Sequence, residues 1–479
     1  MTVYLVGAGP GDPGLLTLRG RELLERCDAL VYDRLADPRV VAMAHPAAER
    51  IYAGKEPKRH ALDQDEINDL LVELGRRCRT VVRLKGGDPF IFGRGGEEAL
   101  ALEEAGIPWE VVPGISSAYA VPAYAGIPVT QRGMAAQVTL VTGHEDPAKE
   151  ESDIDWELLA RTPGTLVFLM GVGGLERNAA RLIEHGKAAD TPAAVIASGT
   201  RSNQQTVTAP LHSIARAALG VRPPAITLVG DVAALHDRLG WFERRPLFGR
   251  RVVVTRARPQ ASGLAARLAE LGAEVIEAPA IGIEPLAFDA PDLASYDIVC
   301  LTSANGVERL LPADVRSLHG VTVAAVGRAT ASVLAEHGIV ADVVPGQAMS
   351  EALLDALGDV AGRRILVGTA EGARTVLPDG LRERGAEVDV LHLYRTTAEP
   401  VDRDRVLGAD LVTFSSSSTV TNVLDALNGH DLSSLRAVSI GPVTTGTLRE
   451  RGITPLREAD PHDVDGLVAA VLDAASELE

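Results

Sequence analysis

Short apolar runs alternate with amphipathic stretches through roughly the first half of the chain. Strand candidates are Val3–Val6, Ala29–Tyr32, Val81–Leu84, Trp109–Val112, Gln137–Thr142, Thr165–Met170, Ala193–Ala197 and Ala225–Val229. Helical periodicity marks Leu15–Arg26, Asp65–Arg77, Glu97–Glu104, Val172–Glu184 and Leu211–Ala218. Such alternation predicts an α/β module with mainly parallel sheets flanked by helices. The stretch 241–249 breaks the pattern with Pro246 and three charged residues. A boundary is expected there, with 1–242 as the first module, 243–249 as a linker and 250–479 as the second.

The second module repeats itself. Arg251-Val252-Val253-Val254 returns as Arg364-Ile365-Leu366-Val367, 113 positions on. Gly272-Ala273-Glu274-Val275 and Asp297-Ile298-Val299 return at the same offset, as Gly385-Ala386-Glu387-Val388 and Asp410-Leu411-Val412. Val326-Gly327 and Gly338-Ile339 match Ile440-Gly441 and Gly452-Ile453 at 114. An offset this steady marks two copies of one α/β unit. Two copies imply two similar lobes, with a ligand cleft between them. None of these landmarks occurs in the first module, so the chain reads as a fusion of unrelated modules.

Composition narrows the class. The 479 residues are 46% hydrophobic, 23% charged and 4% aromatic, the profile of a globular protein with an aliphatic core. No apolar run approaches the roughly 18 residues of a membrane span. A strand begins at once, without the basic n-region of a secretory signal. Cys27, Cys78 and Cys300 lie far apart without metal or redox spacing, which fits a reducing cytoplasm and no metal site. The net charge of −18 argues against nucleic acid but not against a small anion held by local arginines.

Three glycine-rich turns follow strands of the first module. Gly7-Ala8-Gly9-Pro10-Gly11-Asp12 approaches the dinucleotide fingerprint, and Asp33 ends the next strand. The details oppose a nicotinamide cofactor. The third fingerprint glycine falls on Asp12, whose charge repels phosphate, and Pro10 lacks a backbone donor. The second turn lies in the run Arg83-Leu84-Lys85-Gly86-Gly87-Asp88-Pro89-Phe90-Ile91-Phe92-Gly93-Arg94-Gly95-Gly96-Glu97-Glu98. The third is Val112-Pro113-Gly114-Ile115-Ser116-Ser117-Ala118. All three end strands, where α/β folds bind ligands.

These motifs, with Val31-Tyr32-Asp33-Arg34-Leu35, Gly54-Lys55, Ala125-Gly126-Ile127-Pro128, Thr142-Gly143-His144, Met170-Gly171 and Ser198-Gly199-Thr200, span the module. In combination the first module resembles uroporphyrinogen-III C-methyltransferase. The resemblance implies an S-adenosyl-L-methionine pocket lined by Pro10, Gly86, Gly87, Asp88, Ile91, Ser116, Ser117, Met170 and Gly199. It implies Asp33 as proton acceptor and Lys55 as proton donor. Arg34 and Arg132 are candidate partners for the propionates of the tetrapyrrole. Leu169 stands before Met170 where relatives often carry tyrosine, which puts one tetrapyrrole contact in doubt.

Residues 250–479 resemble uroporphyrinogen-III synthase through Val254-Thr255-Arg256, Leu301-Thr302-Ser303-Ala304-Asn305-Gly306-Val307, Leu393-Tyr394-Arg395-Thr396, Thr413-Phe414-Ser415-Ser416-Ser417 and Ile440-Gly441-Pro442. In that family the chain crosses twice between lobes, implying one lobe of about 250–284 plus 398–479 and another of about 285–397. Tyr394 matches the residue proposed to assist hydroxyl departure. Thr302, Ser303, Asn305, Ser415, Ser416 and Thr444 offer donors to carboxylates, though turn residues have the same composition. His392 and Arg256 stay undecided.

The combined expectation is a bifunctional cytoplasmic enzyme, homodimeric through its methyltransferase module. It would cyclise hydroxymethylbilane to uroporphyrinogen III and methylate that product twice to precorrin-2. The alternatives are a methyltransferase whose second half is only a binding or regulatory lobe, and one acting on later corrin precursors.

Overall fold

The computed structural model describes every residue except 55–61, 145–151, 257, 312–317, 429, 433 and 479, with backbone only at 258–262. It divides into two compact units, Met1–Gly249 and Arg250–Glu479.

The first unit holds two five-stranded sheets. In the first, Glu49–Tyr52, Ala29–Tyr32, Thr80–Lys85, Thr2–Gly7 and Trp109–Val112 lie side by side, all parallel. Apolar side chains bury both of its faces against helices, including Leu18–Glu25 and Gln64–Arg77. The latter helix starts in a capping box between Asp63 and Glu66, which satisfies two otherwise orphaned donors. The second sheet departs from the parallel expectation. Its order is Val138–Thr142, Thr165–Leu169, Ala225–Val229, Pro192–Ala197 and Gln205–Pro210, and only the first pair is parallel. The sequence pattern gave no sign of Gln205–Pro210, a half-exposed edge strand of mixed polarity. Through it the chain turns straight back onto Pro192–Ala197, so no helical crossover intervenes.

The segment expected to link the units is instead packed into the first one. Phe242 and Leu247 are buried, and the rings of Trp241, Phe242 and Phe248 cluster with Tyr124. Aromatic area outweighs the local charge and proline there.

The second unit also has two five-stranded sheets, but neither is built from one sequence copy. Arg251–Val254 pairs with Glu274–Glu277 from its own copy and with Leu411–Phe414 from the other. Arg364–Ala370 likewise pairs with Glu387–Ala398 and with Ile298–Leu301. Even the registers coincide, Val252↔Leu411 in one lobe and Ile365↔Ile298 in the other. Each lobe therefore joins the front half of one copy to the back half of the other. Ile281–Pro285 runs antiparallel to Glu387–Ala398, which places it in the central lobe. The first crossing thus falls near residue 280, slightly before the expected 284. Glu399 N–H donates to Ala280 O, so the two crossing segments lie side by side.

Candidate functional site

The first unit contains a cavity of about 680 Å³, within the range of small-molecule sites. Both sheets contribute to it through residues just past their strands, including Pro10, Asp33, Gly86, Ser116, Met170 and Gly199. The glycines let three turns of the first sheet meet. A Cβ on Gly7 would stand 2.4 Å from Gly114 Cα, and one on Gly114 would stand 2.2 Å from Gly87 O. Gly9 and Gly87 exchange backbone hydrogen bonds of 3.2 and 2.7 Å. Asp88 fastens the assembly by accepting from Phe90 N at 2.8 Å and Gly114 N at 3.0 Å. Gly199 approaches Val121 so closely that a Cβ there would meet it at 2.4 Å.

Backbone strain gathers at the same place. Among the described residues, five non-glycine residues have left-handed φ: Phe92, Arg94, Met170, Ser198 and Thr200. The first four line the cavity. Such conformations cost about 1–3 kcal/mol each and gather at functional sites. Met170, at φ 58°, directly follows the strand Thr165–Leu169, and its side chain is exposed.

A buried ionic group reaches the cavity wall. Arg83, Lys85 and Glu98 are 3%, 4% and 0% exposed. Glu98 Oε1 accepts from Lys85 Nζ at 2.7 Å and from Arg83 Nε at 3.0 Å. Arg83 Nη2 also donates to Asp33 Oδ2 at 3.3 Å, while Asp33 Oδ1 accepts from Leu35 N at 3.0 Å. Burial, followed by the neighbouring Arg83 charge, pushes the Lys85 ammonium below its ordinary pKa despite Glu98.

All nine positions expected to hold S-adenosylmethionine line this cavity, as do Asp33 and Arg34. Bare glycine backbone, small hydroxyls and the apolar Leu169, Met170, Ile196 and Ile226 suit a ligand with an adenosyl end and a polar amino-acid end. Ser116 Oγ also accepts from Ala118 N at 3.3 Å, capping helix Ser117–Tyr124. That helix escapes sequence reading because it is apolar all round and contains Pro122. Arg132 is exposed and not among the cavity-lining residues, and Lys55 lies outside the described residues. Arg83, Lys85, Arg94, His144 and Arg201 also line the cavity without having been singled out. The available signal was Arg83 and Lys85 inside an otherwise apolar strand, since charges buried there require a partner.

In the second unit Thr302, Ser303 and Ser415 follow strands of the two lobes, while Tyr394 lies within one. Tyr394 is 7% exposed, and its hydroxyl donates to Ser303 Oγ at 2.9 Å. A register shift produces this burial: Thr369 pairs with His392 but Ala370 with Tyr394, leaving Leu393 as the extra residue. Bulges of this kind re-aim side chains. Ser303 also caps helix Ala304–Leu310 through Gly306 N at 3.0 Å. Thr302 is engaged with Gly368 O at 3.1 Å and Thr369 Oγ1 at 3.0 Å, and Asn305 is engaged as well. In the other lobe, Ser415 follows strand Leu411–Phe414, Ser416 caps helix Ser417–Ala426, and Thr444 is buried in Pro442–Glu450. Arg256 has no hydrogen bond or ion pair among the described residues, and burial pushes its guanidinium pKa down. His392 is exposed, with Nδ1 3.3 Å from Ala370 O. No group of three or more His, Cys, Asp or Glu among the described residues could hold a metal.

Comparison with known proteins matches residues 2–215 to the tetrapyrrole (corrin/porphyrin) methylases and residues 262–469 to uroporphyrinogen-III synthase HemD. The porphyrin biosynthesis protein HemD of Ruminiclostridium josui is 36% identical over 98% of this chain and 97% of its own. The S-adenosyl-L-methionine-dependent uroporphyrinogen III methyltransferase of Methanosarcina barkeri is 55% identical, covering 50% of this chain and 94% of its own. The crystal structure of uroporphyrin-III C-methyl transferase from Thermus thermophilus, complexed with S-adenyl homocysteine, is 42% identical. It covers 49% of this chain and 100% of that one, with a TM-score of 0.43. The chain belongs to the fused porphyrin-biosynthesis HemD family, an S-adenosylmethionine-dependent uroporphyrinogen-III C-methyltransferase followed by a uroporphyrinogen-III synthase.

Proposed function

We propose that Pro10, Gly86, Gly87, Asp88, Ile91, Ser116, Ser117, Met170 and Gly199 hold the methyl donor, and that Asp33 takes the proton lost from the methylated pyrrole carbon. The observation that carries this reading is the convergence of all ten on one cavity. When bound, S-adenosylmethionine supplies a methyl group on an electrophilic sulfonium. The protein's part is to fix the geometry of two substrates, which can supply much of the acceleration. The glycine cradle and Asp88 line the cavity from turns of the first sheet, and the strained Met170 and Ser198 line it from strand ends of the second. Asp33 is held by Leu35 N and Arg83, so its carboxylate can meet positive charge developing on the tetrapyrrole. Arg34 is the nearby cation for a propionate, and Lys55 is retained as proton donor from the resemblance alone.

In the synthase unit, Tyr394 assists departure of the hydroxyl of hydroxymethylbilane by turning toward it the O–H that otherwise bonds Ser303. Thr302 acts mainly by shaping the loop, because its hydroxyl is already engaged, and Asn305 offers an amide to a substrate carboxylate. Ser415 and Ser416 offer carboxylate donors at the helix start of the other lobe. A homodimer formed through the methyltransferase unit and a cytoplasmic location complete the proposal. No helix among the described residues is long and apolar enough to cross a membrane.

The test is incubation of the purified chain with fresh hydroxymethylbilane, with and without S-adenosylmethionine, followed by isomer-resolving chromatography and mass analysis. Type-III uroporphyrinogen without the donor and a dimethylated product with it is the expected outcome. Accumulation of the type-I isomer alone would remove the synthase assignment.

A further inference from the structure

Glu98 is fully buried on helix Gly95–Glu104, directly after the glycine-rich run. One of its oxygens collects both neighbouring cations, Lys85 Nζ at 2.7 Å and Arg83 Nε at 3.0 Å. Its other oxygen is buried without a partner. Arg83 spends Nη1 on Leu84 O at 3.3 Å and reaches Asp33 only through Nη2, at the longer separation of 3.3 Å. Two cations and two carboxylates therefore share one patch at the cavity wall, in which Asp33 alone keeps partial exposure. The tighter contacts belong to the carboxylate that does not face the substrates. Lys85 and Asp33 are also near enough for their charges to interact.

We propose that Glu98 is a positioning residue for methyl transfer: it holds Lys85 and limits Arg83 to one long contact with Asp33, so that the carboxylate keeps a free lone pair for the proton leaving the tetrapyrrole. The inference rests on Asp33 being the proton acceptor. Its physical basis is charge balance where water cannot compensate. Coulomb attraction is several times stronger in such a site than in bulk solvent. With Glu98 neutral, Asp33 is the remaining anion of the group, and both cations turn to it. The lowered pKa of the Lys85 ammonium agrees, because a charge so buried needs a dedicated partner. Asp33 would remain folded in place but be occupied.

The experiment measures methylation kinetics of the full chain with uroporphyrinogen III, using calorimetric binding of S-adenosylhomocysteine to establish an intact cavity. Glu98→Gln should lower kcat by roughly 10- to 100-fold, as small misplacements at reacting groups do, with KM changed by less than about 3-fold. In an Asp33→Asn background the same change should cost nothing further, because the group it protects is already gone. The double variant Lys85→Met/Glu98→Gln restores charge balance and removes Lys85, leaving Arg83 as the one cation on Asp33 as in the parent, and should recover kcat to within about 30-fold of the parent, above Glu98→Gln alone. If Glu98→Gln does not fold, the double variant decides: a loss greater than about 30-fold overturns the proposal. Additive losses with Asp33→Asn, or an effect confined to KM, overturn it while leaving Asp33 as acceptor. An active Asp33→Asn removes the acceptor assignment itself, and this inference with it.

Discussion

In the first unit Asp37, Arg83, Lys85 and Glu98 are buried, whereas the buried polar side chains described in the second are threonines and one serine. The left-handed non-glycine residues divide the same way, all five in the first unit. The methyltransferase thus places charge and strain around a cavity. The synthase relies on neutral hydroxyls bonded to its own backbone, such as Thr255 to Thr413 O and Thr413 to Val253 O. The two reactions make different demands. Methyl transfer needs two substrates held in a narrow geometry while positive charge develops. Macrocycle closure needs a flexible linear substrate folded into one shape, with less call on ionised groups.

That contrast can be broken in four places. Asp33→Asn should cut methyl transfer by roughly 10²- to 10⁴-fold while leaving type-III isomer formation intact, read from both products in one assay. Equal loss of both activities would mean that the variant perturbs the whole chain. Gly114→Ala forces a Cβ to within 2.2 Å of Gly87 O. It should destabilise the first unit by about 3 kcal/mol in urea unfolding, and a neutral result would refute the three-turn cradle.

Asp37 offers a pH test. Burial raises its carboxyl pKa, but hydrogen bonds from Arg39 and the charges of Arg39 and Arg201 outweigh that and hold it below the usual value. Its stabilising contribution is therefore complete above the ordinary carboxylate pKa, near 3.9, and fades as pH falls through the lower folded value. Asp37→Asn should cost about 2 kcal/mol at pH 7 and progressively less below pH 4, followed by denaturant titration. A cost that grows toward low pH would reverse the assignment. The smallest effect is expected from Tyr394→Phe, about a 10-fold fall in type-III isomer with methylation of supplied uroporphyrinogen III unchanged. A purely structural Tyr394 would lower stability but leave the isomer ratio alone.

Legibility followed the same division. Strand–helix alternation and the repeat were visible because apolar periodicity and a fixed offset survive in one sequence. The strand-end turns were visible because glycine there has a steric cause, as at Gly7 and Gly114. Gln205–Pro210 was not visible, because an exposed edge carries little apolar pattern. The pairing of Glu98 with Lys85 also escaped, since Glu98 reads as a helix-start carboxylate and its burial is a tertiary fact. In the second unit, the extra residue at Leu393 that buries Tyr394 is a matter of register. No residue-by-residue pattern encodes it.

The exchanged halves of the second unit impose an order on synthesis. Strand Arg251–Val254 needs Leu411–Phe414 beside it, and Arg251 N bonds to Asp410, 159 residues later. At ribosomal rates of about 5–20 residues per second, the earlier strand waits roughly 8–30 s with an open edge. The central lobe, although begun later, has all its strands by residue 398 and can close first. The outer lobe is thus completed around a finished insert, and a nascent chain stopped between residues 400 and 410 would expose the open edge of an apolar strand to chaperones or aggregation.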